Sequence, residues 1–225
     1  MPDLAADESP RVRLLRRLAD PAHTAVLTME LQNGVVGPDS IVPALPLAVK
    51  AAGILPVAGA VCAAARASGI RVVHCTEEDR ADGAGGAVNC RIFALSAKRR
   101  AETGGGATDI GTPGARLVDE LGLDPRDIIV PRMHGMSPFT STALDQILRN
   151  LGITSIVLTG VSVNLGIFGA SMSALDLGYQ VLLVRDAVTG IPAEYADAVI
   201  DNSLSLITTV VQSQELISLW TSMGA

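Results

Sequence analysis

Three short polar clusters, each placed just after an apolar run, hold the residues of this chain best suited to chemistry. Glu30-Leu31-Gln32-Asn33-Gly34 follows the run Thr24–Met29. A carboxyl group between Met29 and Leu31, leaving a buried segment, is partly desolvated. Desolvation raises a carboxylic acid's pKa and suits it to proton transfer near neutrality. The competing reading is a carboxylate that caps a loop or pairs with an arginine. The second cluster, Pro131-Arg132-Met133-His134-Gly135-Met136-Ser137-Pro138-Phe139-Thr140, follows Asp127–Pro131. Arg132 supplies positive charge there, and His134 a side chain that titrates near neutrality, although a loop histidine also serves as an ordinary hydrogen-bonding group. The third, Gly160-Val161-Ser162-Val163-Asn164-Leu165-Gly166, follows Thr154–Thr159. Asn164 opens a small-residue helix, Ser162 and Asn164 offer polar side chains, and the backbone N–H groups of residues 165–167 could receive an anion or a developing oxyanion.

The elements that must position these clusters alternate between β-rich and helical stretches, the pattern of a parallel, doubly wound sheet. Expected strands are Thr24–Met29, Ile70–Cys75, Asp127–Pro131, Thr154–Thr159, Tyr179–Arg185 and a weaker Leu206–Val211. Helices are expected over Ala44–Ser68, Thr140–Leu151, Asn164–Leu177 and Pro192–Leu204, the last with proline where its missing N–H is no loss. Such sheets bind ligands beyond the carboxyl ends of their strands, where all three clusters fall. Residues 1–23 read as a tail leading into a short basic helix (Arg11, Arg13, Arg16, Arg17) with a solvated face, and 24–225 as one α/β domain. The long connection 77–115 interrupts it, with glycines at 83, 85 and 86 and again at 104, 105 and 106. Val88–Ala101 offers it a helix, so the segment reads as a lid or subunit contact, or else as a mobile surface loop.

The bulk numbers narrow the partners. In a chain of 225 residues, 48% hydrophobic, a net charge of −6 argues against nucleic acid or an anionic membrane surface as partner. No apolar run reaches the roughly 18 uninterrupted residues of a spanning helix, and the acidic N-terminus is unlike a secretory signal. Cys62, Cys75 and Cys90 are scattered and show neither metal-ligand spacing nor a disulfide framework. A cytoplasmic protein with no metal and no cofactor is expected. Cys62 reads as core, and Cys75, beside His74 at a strand end, as packing rather than a nucleophile. A mean hydropathy of +0.39 points to a homo-oligomer.

The three clusters together resemble the isochorismatase-like cysteine hydrolases, and the resemblance runs from Thr24 to about Leu216. The family's D-x-Q-N reads Glu30-Leu31-Gln32-Asn33, with glutamate for aspartate. Its K-x-x-x-S-A-F keeps Ser137 and Phe139 but places Met133 at the lysine. Its G-V-x-T-N-x-C-V keeps Gly160, Val161 and Asn164 but places Gly166 at the cysteine. The resemblance implies a three-layer α/β fold with a six-stranded parallel sheet in order 3-2-1-4-5-6, a cis peptide before Ser162, and homodimers or larger assemblies. It also implies a small-molecule substrate, carboxylate- or amide-bearing, contacted by Gln32, Asn33, Ser137, Phe139, Ser162, Asn164 and Gly166. Gly166 closes the covalent route at that position. Isochorismatases proper tolerate glycine there and cleave a vinyl ether with a proton and water. The reading is a hydrolase without a cysteine nucleophile, with Glu30 as general acid/base, in protonated form for the vinyl-ether chemistry, and Arg132 and His134 assisting. The alternative is a catalytically inactive ligand-binding or scaffold protein, and a third option relocates the nucleophile to Cys75 or Ser162.

Overall fold

The computed structural model of the chain describes residues 9–223, so the expected tail over residues 1–8 lies outside them. Helix α1 (Pro10–Leu18) is capped by Ser9, whose hydroxyl accepts from the Val12 amide, and starts with proline. After it come β1 (Thr24–Met29), the short turn α2 (Asn33–Val36), α3 (Ala44–Ala52), α4 (Ile54–Ala67) and β2 (Arg71–Glu77). The long connection then contributes α5 (Arg91–Thr103), followed by β3 (Ile128–Arg132), α6 (Leu144–Asn150) and β4 (Ser155–Gly160). The chain ends with α7 (Phe168–Asp176), β5 (Gln180–Val188), α8 (Ala193–Val199), α9 (Ser205–Ile207), β6 (Thr209–Val211) and α10 (Ser213–Met223).

The six strands form one all-parallel sheet in the order β3-β2-β1-β4-β5-β6. Buried parallel strands read as continuous apolar runs because helices cover both faces, and every residue of β1 and β4 is buried. Alternate strand residues divide the core in two. Val26, Val72, Val157 and Leu182 pack with α1, α3, α4 and α10. Leu27, Val73, Ile156 and Leu183 pack with α6, α7 and α8. Trp220 of α10 donates its indole N–H to Ala19 O at 2.8 Å, tying the last helix to the end of the first.

Three expected helices are interrupted. Ala44–Ser68 breaks at Gly53, which adopts φ 65° and bends α3 against α4 by 62°. The pair together has the length and apolarity of a membrane span, but no single described helix does, and α4 lies largely in the core. Asn164–Leu177 begins with a π-helical turn, Val163–Ile167, before α7. The stretch expected from Pro192 likewise ends in a π turn, Ile200–Leu204, and Pro192 follows a cis peptide bond as the N-cap of α8. Irregular π turns of this kind often lie near functional sites.

Candidate active site

Glu30 is the first residue beyond β1. Its amide donates to Cys75 O at 2.9 Å, and its backbone is left-handed at φ 53°, rare for a residue with a side chain. The carboxylate makes an ion pair with the guanidinium of Arg132, the last residue of β3. Since β2 separates β1 from β3, the two side chains meet across the end of β2. Arg132 is 4% exposed. Its Nε donates to Gly135 O at 2.9 Å, while its buried Nη1 has no partner among the described residues. Burial opposes the charge, but the attraction and hydrogen bond of Glu30 outweigh it and hold the guanidinium pKa above its ordinary value. This positive charge lies one residue before Met133. Met133 is the neighbour turned outward, 42% exposed.

A second carboxyl group stands beside this pair, and the sequence reading passed over it. Glu77 ends β2 in register with Arg132. Its backbone is clamped by Gln32, whose Nε2 donates to Glu77 O at 2.9 Å and whose Oε1 accepts from Glu77 N at 2.8 Å. Thr108 Oγ1 donates to Glu77 Oε2 at 2.5 Å. Burial pushes the Glu77 carboxyl up to about 7. Thr108 and Arg132 pull against that rise, and Glu30 and Asp79 add to it. Its position two residues after the second expected strand, Ile70–Cys75, was the available signal, by the same strand-end rule that picked out Glu30.

The glycine turn faces these carboxylates. Gly160 has φ 111°, and a Cβ there would lie 2.2 Å from Met29 O, so the close approach of β1 and β4 requires glycine. The peptide between Val161 and Ser162 is cis. Ser162 Oγ donates to Asn164 Oδ1 at 2.6 Å. The amides of Leu165 and Ile167 both donate to Ser162 O, at 3.0 and 3.1 Å, which occupies two of the N–H groups expected to form an anion hole. At Gly166 a Cβ would stand 3.0 Å from Met29 Cε and 3.2 Å from Val161 O. The methionine thioether crowds the position the resemblance gives to a cysteine.

Glu30, Glu77, Arg132, Ser162, Asn164 and Gly166 line one cavity of about 570 Å³, with His134 among its lining residues. The connection 77–115 supplies much of the wall through α5. That helix buries none of its own residues fully and is held by polar links. Arg100 pairs with Asp79 at 3.2 Å and, more closely, with Asp109, and Arg99 Nη1 donates to Ser40 O at 3.1 Å. Phe93 stacks on His134 with ring centroids 6.3 Å apart.

The other residues expected to contact substrate lie elsewhere. Gln32 is fully buried and braces the Glu77 and Ala115 backbones. Asn33 is exposed and donates to Pro113 O at 3.2 Å. Ser137 donates to Ser173 Oγ at 2.8 Å, and Phe139 packs against Tyr179 at 5.8 Å between centroids. None of the four is in the lining. Cys75 is buried, and burial pushes its thiol up to about 12. Cys62 is raised to about 12 for the same reason, and Cys90 is exposed at the start of α5.

Comparison with known proteins places this geometry in a family. The isochorismatase domain family matches residues 24–215. Among curated relatives, the ureidoacrylate amidohydrolase RutB of Agrobacterium fabrum is 30% identical over 174 residues, 74% of this chain and 76% of that protein. The RutB protein of Pseudomonas syringae pv. syringae is 29% identical over 183 residues, 78% of this chain and 74% of that one. Among solved structures, an isochorismatase family protein from Desulfovibrio vulgaris superposes with a TM-score of 0.75 at 27% identity, covering 88% of this chain and 98% of the other. A cysteine hydrolase from Pseudomonas syringae pv. phaseolicola shares the fold with the same TM-score, 0.75, at 21% identity, covering 90% and 94% of the two chains. The chain belongs to the isochorismatase family.

Proposed function

We propose that this protein hydrolyses a carbonyl C–N bond, of an amide or a carbamoyl group, in a small molecule, and that water rather than a side chain attacks the carbonyl. The observation that carries the reading is the placement of Glu30 and Glu77 around Arg132 in the cavity that also contains Gly166. The relatives named as ureidoacrylate amidohydrolases support the bond class.

In this reading Glu30, ion-paired with Arg132, works as a carboxylate rather than as a protonated acid. Glu30 takes a proton from water, the water oxygen bonds to the carbonyl carbon, and negative charge moves onto the carbonyl oxygen. Glu77, whose burial favours its neutral form, gives its proton to the leaving nitrogen as the C–N bond breaks. The proton held by Glu30 then returns through solvent to Glu77 once product leaves. Arg132 keeps Glu30 oriented throughout, and His134 contacts substrate at the cavity wall.

The test is a panel of amides, monosubstituted ureas and vinyl ethers offered to the purified protein and to Glu30→Gln. Turnover of a C–N substrate is expected, reduced about 10²-fold or more in the variant. Undiminished turnover in the variant would reject the mechanism. Binding without turnover across the whole panel would favour a ligand-binding protein.

A further inference from the structure

The cavity's charge balance and walls specify more than a bond class. Four acidic residues line it, Glu30, Glu77, Asp79 and Asp82, against two arginines, Arg100 and Arg132. Each arginine is engaged: Arg132 by Glu30, and Arg100 by Asp79 and Asp109. Asp82 is held by Arg80 at 2.7 Å. A carboxylate on a substrate would therefore meet no free cation among these lining residues. Apart from the buried, unpartnered Nη1 of the already paired Arg132, it would meet a lining with more acids than arginines, at a desolvation cost. A cation would find Glu30, Asp79 and Asp82 already ion-paired with Arg132, Arg100 and Arg80, and Glu77 bonded to Thr108 and pushed toward its neutral form by burial.

The rest of the lining includes Ser40, Ser96, Thr108, His134, Ser162 and Asn164, but much of it is apolar and comes from separate parts of the chain. Val42 and Leu45 lie on one side, Ile92 and Phe93 on α5, and Leu165 and Ile191 near the glycine turn. A volume of about 570 Å³ falls within the roughly 300–1,000 Å³ of sites that enclose ligands of drug size. A urea or amide headgroup alone would fill a small part of it and leave those walls in contact with water.

We infer that the substrate is uncharged and carries a bulky alkyl or aryl group: the carbonyl C–N unit sits over Glu30 and Glu77, and the apolar substituent fills the space under α5 against Phe93 and Leu165. The inference rests on the hydrolase reading for the identity of the headgroup and on the cavity walls for the rest.

Three probes separate these dependencies: methylurea, hexylurea, and ω-ureidohexanoate, which matches hexylurea in length but ends in a carboxylate. Affinity is read by calorimetry and hydrolysis by ammonia release. Hexylurea is expected to bind at least roughly 10²-fold tighter than methylurea, since each buried methylene is worth about a threefold to fourfold gain. It is also expected to bind at least tenfold tighter than ω-ureidohexanoate. Phe93→Ala should reduce the hexylurea-to-methylurea preference by about tenfold, and circular dichroism shows whether that variant is folded. If it is not, Leu165→Ala, at an exposed position, replaces it. Equal affinity for methylurea and hexylurea, preference for the carboxylate, or no binding of any of the three would overturn the inference. Tight binding of hexylurea without ammonia release would uphold the apolar specificity and remove the hydrolase reading.

Discussion

At Glu30 two constraints meet: a left-handed backbone and a carboxylate fixed by a buried guanidinium. A non-glycine residue held there costs about 1–3 kcal/mol and persists only where its surroundings enforce it, commonly at functional sites. Arg132 does the enforcing through two differently directed N–H groups, one to Gly135 O and one to Glu30. Lysine has one terminal nitrogen and no planar fork. Arg132→Lys is therefore expected to lower kcat by tenfold or more with little change in KM, because it loosens the base rather than the apolar walls. An unchanged kcat, measured on the substrate that the panel identifies, would mean that orientation by the fork is irrelevant. Of the cluster residues, Glu30, Arg132, His134, Ser162 and Asn164 were readable from strand-end position and Gly166 came from the motif; all six line the cavity. Gln32, Asn33, Ser137 and Phe139 were chosen by motif. Motifs do not distinguish a residue that touches ligand from one that holds the loop behind it. Glu77 went unread because its environment is made by Thr108, thirty-one positions away in sequence, and by Arg132 on a neighbouring strand.

Among the elements, the strands were the most legible, because a strand covered on both faces must be a continuous apolar run. Their order needed the family resemblance. The break at Gly53 was not legible, since an isolated glycine is tolerated inside a helical pattern. Also hidden was a buried polar network that joins three strands and a helix. His74 of β2 shares a 2.7 Å hydrogen bond with Thr28 of β1 and approaches Asp127, just before β3, at 3.2 Å. Asp127 in turn accepts from Arg66 of α4 at 3.1 and 2.7 Å. The order hydroxyl, imidazole, carboxylate resembles a catalytic triad, but Thr28 and His74 are fully buried in the sheet, away from the cavity. Burial lowers the His74 pKa, and the arginine and histidine bonds hold Asp127 below its ordinary range against its own burial. The network is structural. Asp127→Ala leaves Arg66 without its carboxylate and should cost about 3–5 kcal/mol of stability by urea denaturation. A loss under about 1 kcal/mol would show that the network adds nothing to the fold.

At the scale of the whole molecule, the proposed general acid is a stability liability. Glu77 rises from an ordinary 4.5 to about 7 on folding, so between those values the native state holds a proton that the unfolded chain has released. Stability must therefore fall as pH rises through that window and level off above it. Asp127 and Asp109, held low by arginines, act in the opposite sense and lose their contribution as pH falls through the carboxylate range. Urea midpoints at about pH 5 and about pH 8 should differ for the natural chain, lower at the higher pH, and the difference should shrink in Glu77→Gln. An unaltered difference in the variant would assign the slope to another group. The same titration reaches catalysis, because a general acid must be protonated to act: kcat/KM is expected to decline above about 7.

In the proposed mechanism, water activated by Glu30 replaces a side-chain nucleophile at a site where Gly166 stands at the family's cysteine position. Intact-protein mass spectrometry of acid-quenched single turnovers of hexylurea tests it most directly. Unmodified protein at every time point while hexylamine accumulates, together with arrest of product formation in Glu30→Gln, is the expected result. A carbamoyl adduct that forms and decays with turnover, on Cys75 or Ser162, would contradict it.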